Sequence, residues 1–354
     1  MKLGLIGLPS SGKTTVFNAL TGSNLPTGSM TGAPFEVHTA VVNVPDPRVE
    51  ALSAFYHPRR ITPAQVTYAD ISGLKADAGR EGLPGALVNQ LEQMDGLIHV
   101  LRVFPDDVVP HPQGSVNPAR DAAMMLSEFL IHDMLVVAKR MERLREEYDR
   151  NARERSEIER DIQLFTNLEQ ALEDGKAVRD IALSPEEDLR LAGFGLLSRK
   201  PILHVLNLAE GQVVPEMSFG GDIPVALQGT LEMEISQLDE DEAVSFLQEF
   251  EILEPARNRI IRASYHLLHL QSFFTVGEDE VRAWTIPHGA TALQAADTIH
   301  SDLARGFIRA EVVPWKELLD AGGIPGARQG GKLRLEGKSY IVEDGDIVHI
   351  RFNI

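Results

Sequence analysis

A short segment near the start of the chain has the residue types and spacing of a phosphate-binding loop. It reads Gly7-Leu8-Pro9-Ser10-Ser11-Gly12-Lys13-Thr14-Thr15, in which two glycines flank four residues and Lys-Thr follows. Glycines allow successive backbone N–H groups to turn toward phosphate oxygens. Lys13 supplies a positive charge to the β and γ phosphates, and the Thr14 hydroxyl reaches Mg²⁺. The residues predicted to bind a nucleotide here are Pro9, Ser10, Ser11, Gly12, Lys13, Thr14 and Thr15.

Apolar residues on both sides predict the elements that position this loop. Residues 3–6 (Leu-Gly-Leu-Ile) predict a strand before it, and residues 16–20 (Val-Phe-Asn-Ala-Leu) predict a helix after it. Such a helix directs the positive end of its dipole toward a bound anion. A glycine-rich turn before an ordinary helix is the alternative. It is disfavoured because chance matches the whole pattern on the order of one time in a hundred chains of this length.

A carboxylate for the metal is predicted at Asp70, after the β-rich residues 65–68. In the segment Asp70-Ile71-Ser72-Gly73, Asp70 would hold Mg²⁺ through water, and the Gly73 N–H would contact the γ-phosphate. The predicted cofactor is therefore Mg²⁺, with Thr14 and Asp70 as its protein ligands. An Asp that caps a turn is the alternative. The next residue is Leu74, where Ras-like GTPases place the glutamine that orients water, so intrinsic hydrolysis is expected to be slow.

The segment Asn207-Leu208-Ala209-Glu210 follows an apolar strand at residues 202–206, where guanine-specific GTPases carry Asn-Lys-x-Asp. Here the lysine is replaced by Leu208, and the carboxylate of Glu210 is one methylene longer. Both changes weaken recognition of guanine and make adenine admissible. Asn207, Leu208 and Glu210 are thus predicted to contact the base, and an ordinary loop at this point is the alternative.

Composition excludes several classes of protein. The formal net charge is −18, so the surface as a whole repels nucleic acid and anionic membranes. The chain has no cysteine, which excludes disulfides and thiolate metal sites. No apolar run approaches the roughly 18 residues that span a bilayer, and the N-terminus enters the loop without a signal peptide. We therefore expect a cytoplasmic protein that does not bind membranes.

The pattern of apolar residues changes along the chain. Residues 1–104 alternate β-rich and helical segments, as parallel α/β units do, and strands return at residues 201–206 and 223–227. Between them, apolar side chains recur every three or four residues and a second helical run covers 158–172, which predicts an antiparallel helical hairpin. The dense charges of residues 139–161 are interpreted as a solvated helix face, with a partner-binding arm as the alternative.

The last part of the chain predicts a small mixed sheet that packs on one helix. A helix is predicted at residues 247–270, and a strand at 281–286 precedes a helix at 292–303. Strands are then predicted at 339–342 and 346–352. The turn Glu343-Asp344-Gly345 joins these two strands, because its glycine accepts positive φ.

Longer motifs resemble one family, the YchF-type P-loop NTPases of the Obg-related group. The resemblance covers nearly the whole chain, and its most specific part is residues 281–287 (Val-Arg-Ala-Trp-Thr-Ile-Pro). The other matching motifs are Gly4-Leu5-Ile6-Gly7-Leu8-Pro9 with Gly12-Lys13-Thr14, Pro45-Asp46-Pro47-Arg48, Asp70-Ile71-Ser72-Gly73-Leu74, Val116-Asn117-Pro118-Ala119, Asn207 with Glu210, Gly289-Ala290-Thr291-Ala292, Gln294-Ala295-Ala296, and Gly306-Phe307-Ile308-Arg309-Ala310.

This resemblance implies an α/β P-loop G domain with a mainly parallel sheet, an inserted antiparallel helical hairpin and a C-terminal β-grasp (TGS) domain. The corresponding boundaries are 1–119 and 198–275 for the two parts of the G domain with its connecting helix, 120–197 for the hairpin, and 276–354 for the TGS domain. It also implies a preference for ATP, or use of both ATP and GTP. Association with the ribosome or RNA would occur through the TGS domain and the hairpin.

The resemblance also assigns a catalytic role to His111, beside Lys13, because relatives use a histidine on the loop before Val-Asn-Pro. On residue type alone, His111 would be a solvent-exposed loop histidine. The chain departs from the family at Ala33-Pro34, where relatives have Cys-Thr, and the loop after Asp70 is slightly shorter. Thr31 and Thr39 are candidates to replace the missing threonine, but neither is at the matching position. Hydrolysis and switching are therefore less secure than binding, and the chain is expected to belong to a divergent branch.

Two functions follow from these residues. The first is a slow NTPase that acts as a nucleotide-dependent switch on the ribosome or an RNA–protein partner, and the second is a nucleotide-sensing module with little or no hydrolysis. A small-molecule kinase is disfavoured because no arginine-rich lid is apparent. The candidate RNA-facing residues are Arg257, Arg259, Arg262, Arg305, Arg309, Arg328, Lys332, Arg334 and Lys338, and scattered surface charges are the alternative.

Overall fold

A computed structural model describes residues 1–27, 36–71, 82–249, 252 and 254–353. The strands are β1 (Lys2–Ile6), β2 (Val37–Asn43), β3 (Arg60–Thr62), β4 (Gln65–Ile71), β5 (Gly96–Arg102), β6 (Ile202–Leu208), β7 (Val225–Gln228), β8 (Leu270–Thr275), β9 (Glu280–Pro287), β10 (Phe307–Pro314), β11 (Arg334–Glu336) and β12 (Asp346–Phe352).

The helices alternate with these strands in the first part of the chain and form a long excursion between β5 and β6. They are α1 (Lys13–Thr21), α2 (Pro47–Tyr56), α3 (Gly85–Glu92), α4 (Pro118–Asp149), α5 (Arg155–Glu173), α6 (Pro185–Leu191), α7 (Gly229–Ile235), α8 (Glu240–Glu249), α9 (Ala256–Leu267), α10 (Ala292–Ile299), α11 (Ser301–Arg305), α12 (Trp315–Asp320) and α13 (Ile324–Gln329).

The sheet that carries the phosphate loop has the strand order β2-β4-β1-β5-β6-β7. β1 pairs in parallel with both β4 and β5, and β5, β6 and β7 continue the parallel pairing. Strand β5 is buried along its whole length, as expected for a strand covered on both faces. The carboxyl ends of β1, β4, β5 and β6 meet at one edge, where ligands bind in open parallel sheets. The mainly parallel α/β sheet is thus confirmed.

The helical excursion forms a hairpin with its own core. α4 spans 32 residues and α5 spans 19. Asn117 begins α4 because its side chain accepts a hydrogen bond from the Arg120 N–H, and Pro118 occupies the first turn. Val137, Leu144, Ile158 and Leu168 are among the buried residues that join the two helices. The predicted helical hairpin is therefore present, with α6 and two short 3₁₀ turns, Val178–Asp180 and Leu197–Arg199, completing the return to β6.

The second sheet has the strand order β11-β10-β12-β8-β9-β3 and is mixed. β10 pairs antiparallel with β11 and β12, whereas β12 pairs in parallel with β8 and β3 pairs in parallel with β9. One face packs on α10 through Ala292, Ala296, Ala310 and Ile350. A mixed sheet that packs on one helix, as predicted, forms the C-terminal part of the fold.

Several local predictions in the C-terminal part are wrong. Residues 339–342 form no strand and contribute only an isolated bridge between Ile341 and Thr291. The helix predicted at 292–303 is interrupted at His300, whose φ of −168° and ψ of 138° are extended, and whose side chain caps α11. The region predicted as one helix at 247–270 instead contains the end of α8 and all of α9, which starts at Ala256 and ends at Leu267, and strand β8 begins at Leu270. Strands β3, β8, β10 and β11 were not predicted.

The chain divides into two compact units. The first contains Met1–Ala40 and Thr67–Arg257, and the second contains Val41–Val66 and Asn258–Ile354. Residues 41–66 join the C-terminal unit because Ile61 of β3 pairs with Val281 of β9. The four-part division made from the sequence stays a prediction. Among the helices of the described residues, none is long and apolar enough to cross a membrane.

Candidate nucleotide-binding site

The predicted phosphate loop connects β1 to α1, as its flanking residues indicated. Gly7 has φ +152° and Gly12 has φ +88°, values that side chains with a Cβ rarely adopt. A Cβ on Gly12 would overlap the Asn207 amide nitrogen, and one on Gly7 would overlap the Val100 carbonyl oxygen. Ser10 also has positive φ, at 61°. The backbone of this loop therefore depends on glycine at its two ends.

Lys13 folds back over its own loop. Its Nζ donates hydrogen bonds to the carbonyl oxygens of Gly7 at 3.0 Å and Leu8 at 3.1 Å. Burial lowers the pKa of Lys13 to about 8, against the opposing attraction of the Asp70 carboxylate. The ammonium group is thus still mostly charged at neutral pH, and phosphate oxygens would replace its carbonyl partners and stabilise that charge.

Thr14 and Asp70 meet beside the loop, at the carboxyl end of β4. The Thr14 hydroxyl donates a 2.7 Å hydrogen bond to Asp70 Oδ2. Asp70 Oδ1 is buried, and no described residue donates a hydrogen bond to it. A hydroxyl and an unsatisfied carboxylate oxygen are hard oxygen donors of the kind that Mg²⁺ prefers. Thr14 and Asp70 therefore fit the predicted metal as its protein ligands.

Asn207 holds the loop from the neighbouring strand β6. Its Nδ2 donates to the Ser11 carbonyl at 3.0 Å, and its Oδ1 accepts from the Gly229 N–H at 3.2 Å. Gly229 begins α7, and a Cβ there would overlap Asn207 Oδ1. Asn207 is 3% exposed, and its buried amide connects the phosphate loop to the start of α7. Sequence reasoning did not predict Gly229.

The other two predicted base contacts differ in exposure. Leu208 is 4% exposed and packs with Leu101, Leu206 and Ala226. Glu210 is exposed after the end of β6. The structure thus brings Glu210 to the accessible end of the strand and places the Leu208 side chain among apolar residues.

His111 is not the exposed loop histidine that its residue type indicated, because only 5% of its side chain is exposed. Its Nδ1 accepts a hydrogen bond from the Gln113 N–H at 3.2 Å, and its Nε2 lies 3.0 Å from Asp121 Oδ2. Since Nδ1 accepts, the ring proton lies on Nε2 and is donated to Asp121. Asp121, near the start of α4, is also held by Arg120. Both ring nitrogens of His111 are therefore engaged, and sequence reasoning did not predict Asp121.

Some predicted site residues lie outside the described residues. These are Gly73, Leu74 and the switch-loop positions Thr31, Ala33 and Pro34. Thr39, which could replace the missing switch threonine, lies in β2. The predicted catalytic and metal-binding residues Lys13, Thr14, Asp70 and His111 lie within the described residues, as does Asn207.

Proteins similar to this chain match it over almost its full length. It is 38% identical over 366 residues to the ribosome-binding ATPase YchF of Pasteurella multocida, covering 100% of this chain and 99% of that protein. It is 36% identical to the protein of the same name from Bacillus subtilis, covering 99% of each. The chain belongs to the YchF family. The resemblance stated from its motifs is thereby confirmed.

Two family models and one solved structure agree with this membership. A model described as a 50S ribosome-binding GTPase matches residues 2–140, and the YchF GTPase C-terminal model, described as a protein of unknown function, matches residues 270–353. The solved structure of the Schizosaccharomyces pombe YchF GTPase has a TM-score of 0.86 and 31% identity, and covers 99% of this chain and 97% of that chain. The predicted fold class is therefore confirmed for this YchF family member.

This YchF family member also has a buried histidine, His99, beside a partly buried one, His204, which sequence reasoning missed. His99 on β5 and His204 on β6 are paired across the strands, and their ring centroids are 5.3 Å apart. The His204 ring stacks on Phe219 at 4.3 Å. Burial and the Arg179 guanidinium lower the pKa of His204 to about 4, and burial, His204 and Lys13 hold the pKa of His99 well below its usual value.

These histidines predict that the YchF family member loses stability in mild acid. The unfolded chain binds protons at both histidines below about pH 6.5, whereas the folded chain keeps His204 neutral down to about pH 4. His204→Phe is expected to reduce the loss of unfolding free energy between about pH 7.5 and pH 5 by about 2 kcal/mol.

The measurement is urea unfolding followed by far-UV circular dichroism, because both tryptophans, Trp284 and Trp315, lie in the C-terminal unit. The exposed His288→Phe is the matched control and should leave the pH dependence unchanged. If the unfolding free energy of His204→Phe falls with pH as steeply as that of the wild type, His204 does not stay neutral in the folded chain.

Proposed function

We propose that this protein binds ATP, accepts GTP, and hydrolyses the nucleotide slowly with Mg²⁺ as a nucleotide-dependent switch on the ribosome. The observation that carries the proposal is the Thr14–Asp70 pair beside Lys13, where a hydroxyl, a buried carboxylate and an ammonium group converge. The similar proteins of Pasteurella multocida and Bacillus subtilis are named ribosome-binding ATPases. We propose that the switch works in the cytoplasm, with the two-part G domain, the helical hairpin and the TGS domain at the boundaries predicted from the sequence.

The base pocket supports use of ATP more than strict use of GTP. A guanine-specific site needs an aspartate that accepts from two donors of the base, and this chain has Glu210, one methylene longer, at that place. Leu208 replaces the lysine that packs along the base and is itself buried. Asn207 uses both ends of its amide on the protein, which leaves it a supporting role.

The reaction we propose is attack of water on the γ-phosphorus, with the nucleoside diphosphate as the leaving group. Mg²⁺, when bound, supplies positive charge to the phosphate oxygens. Lys13 and the loop N–H groups stabilise the charge that develops on the transferred phosphoryl group. His111 orients the water, but only after its ring nitrogens leave Gln113 and Asp121. That requirement is a physical reason for slow intrinsic turnover.

A second candidate function is a nucleotide-sensing module with little or no hydrolysis. One observation favours it, because both nitrogens of His111 are occupied by protein partners. In that case ATP binding would still depend on Lys13, whereas cleavage of bound ATP would be absent. Single-turnover cleavage separates the two functions.

Basic residues on the C-terminal sheet support a ribosomal RNA partner. Arg309 of β10 pairs with Arg351 of β12, on the face opposite α10. On that face, Arg351 and Arg328 both donate hydrogen bonds to the buried Glu311. Burial raises the pKa of the Glu311 carboxyl, but the two guanidinium groups lower it by more, so the net pKa is lowered. Arg309 lies against Gly337, next to the exposed Lys338. This surface has a local excess of positive charge on a chain of net charge −18.

The other predicted RNA-facing residues are mostly paired with acids. Arg305 contacts Asp302, Lys332 lies 3.8 Å from Glu317, and Arg334 lies 3.8 Å from Asp346. Arg309 and Lys338 are exposed, and the structure gives neither of them a carboxylate among the residues it describes. These two side chains therefore make the sharpest test of the partner.

Removal of both charges, in Arg309→Ala/Lys338→Ala, is expected to weaken co-sedimentation with ribosomes. If both side chains contact phosphates, the slope of log affinity against log salt should fall by about 1 to 2. Arg59→Ala/Arg60→Ala is the matched control, because it removes two exposed arginines from the same unit. Ribosome co-sedimentation that depends on neither salt nor nucleotide would contradict the proposal that the ribosome is the partner.

A further inference from the structure

Arg102 is a buried cation to which the proposed reaction assigns no role. It is the last residue of β5 and is 2% exposed. Its guanidinium lies over the Phe104 ring, with 4.8 Å from Cζ to the ring centroid. Among the described residues, its polar partners are backbone carbonyl oxygens and include no carboxylate. A buried charge without a counter-ion is costly, so a nearby anion would stabilise it.

The hydrogen bonds of Arg102 connect two functional segments. Nη1 donates to the Val109 carbonyl at 2.8 Å and to the Ser10 carbonyl at 3.4 Å, and Nε donates to the Phe104 carbonyl at 2.9 Å. Ser10 belongs to the phosphate loop, and Val109 lies two residues before His111. One guanidinium nitrogen therefore joins the phosphate loop to the segment that carries His111.

That segment is a compact turn, in which a movement of Val109 also moves the nearby His111. Asp106 Oδ1 accepts hydrogen bonds from the backbone N–H groups of Val108 at 2.8 Å and Val109 at 3.2 Å. The Gly114 N–H donates to the His111 carbonyl at 2.9 Å. Because these bonds close the turn on both sides of Pro110, a shift of the Val109 carbonyl carries His111 with it.

In the phosphate loop, the peptide between Ser10 and Ser11 has its N–H bonded within the loop. The Ser11 N–H donates to the Leu8 carbonyl at 3.2 Å, so it points into the loop and not outward. Ser11 N–H and Ser10 C=O belong to the same planar peptide. If the Ser11 N–H turns to a phosphate oxygen, the Ser10 carbonyl must turn as well, and its bond to Arg102 changes.

We propose that Arg102 is a positioning residue that sets the place of His111 according to whether phosphates occupy the loop. The inference rests on the proposed function, since it assumes that this loop binds a nucleotide. Phosphate binding reorients the Ser10 carbonyl and brings negative charge to the guanidinium. Arg102 then moves the Val109 carbonyl, and the ring of His111 leaves Asp121 and Gln113.

The first test is the rate of single-turnover ATP cleavage in Arg102→Lys, which keeps the charge but loses the planar fork. ATP affinity should stay within about threefold of the wild type, whereas the rate should fall about tenfold. In a His111→Ala background, Arg102→Lys should change the rate less than about twofold, because it acts through His111. The exposed Arg150→Gln is the control and should change neither quantity. An equal loss with and without His111 would overturn the proposal.

The second test does not require hydrolysis and uses the wild-type protein. Addition of Mg²⁺ with ADP or ATP should change hydrogen exchange at the amides of Val108, Val109 and Gln113, and Arg102→Lys or Arg102→Met should abolish that change. Unchanged exchange in the wild type, with nucleotide bound, would overturn the inference even if ATP is cleaved. Changed exchange without cleavage would support the inference and contradict the proposed hydrolysis.

Discussion

Lys13→Ala is expected to lower single-turnover ATP cleavage by about 10²–10³-fold, the loss seen when one preorganised charge donor is removed from a transition state. The Lys13 ammonium group is held by the Gly7 and Leu8 carbonyls and is close to Asp70, so it is already placed beside the predicted metal ligands. Its removal takes positive charge away from the site where the phosphoryl group gains negative charge. Nucleotide affinity should fall as well, because the ground state also uses this charge.

The experiment compares Lys13→Ala with Lys139→Ala, an exposed lysine on α4, in calorimetric titration and single-turnover cleavage. Titration with ATP and with GTP in Mg²⁺ also measures the base preference that Leu208 and Glu210 predict. Unchanged cleavage in Lys13→Ala would rule out the proposed reaction. Binding that depends on Lys13 without cleavage in the wild type would select the sensing module.

Asp133→Ala is expected to destabilise the protein by about 2–5 kcal/mol, because it leaves two buried backbone donors without a partner. Asp133 of α4 is 0% exposed, and its two carboxylate oxygens accept from the N–H groups of Leu197 at 2.7 Å and Ser198 at 2.8 Å. Ser198 Oγ in turn accepts from the Val178 N–H at 3.0 Å. Asp133 therefore ties the helical hairpin to the turn that leads back into β6.

Thermal and urea unfolding by far-UV circular dichroism measure this effect. Glu142→Ala is the matched control, since Glu142 is an exposed acid on the same helix. Asp133→Asn should fall between the two, because its amide oxygen accepts one N–H while its amide nitrogen faces the other. A shift of Asp133→Ala no larger than that of Glu142→Ala would show that the backbone finds other partners.

The success of sequence reasoning depended on how local the signal was. The strands β1, β4, β5 and β6 and the helices α4 and α5 were predicted, because each carries a long apolar run or a regular helical period. β3 and β11 have three residues each and show no such pattern. Residues 339–342 have strand-forming side chains but lack a neighbouring strand to pair with along their length. Pairing is non-local, so composition could not distinguish these cases.

Arg102 and Asp121 show the same limit within the site. Arg102 ends an apolar strand, and a charge at the end of a buried strand was a signal that could have been used. Asp121 had no such signal, because its contact with His111 depends on how the turn of residues 103–117 folds over α4. The histidines His99 and His204 become neighbours only through the register of β5 and β6.

The sequence by itself predicted the phosphate loop and the carboxylate beside it, and it determined the family, because these depend on residue types at short spacings that chemistry restricts. Only the tertiary structure decided that Asn207 braces the loop, that both nitrogens of His111 are engaged, and that Arg102 joins two loops. It also placed residues 41–66 with the C-terminal unit. Each of these facts arises from contacts between segments distant in the chain, whose energies depend on packing and burial and leave no periodic trace in the sequence.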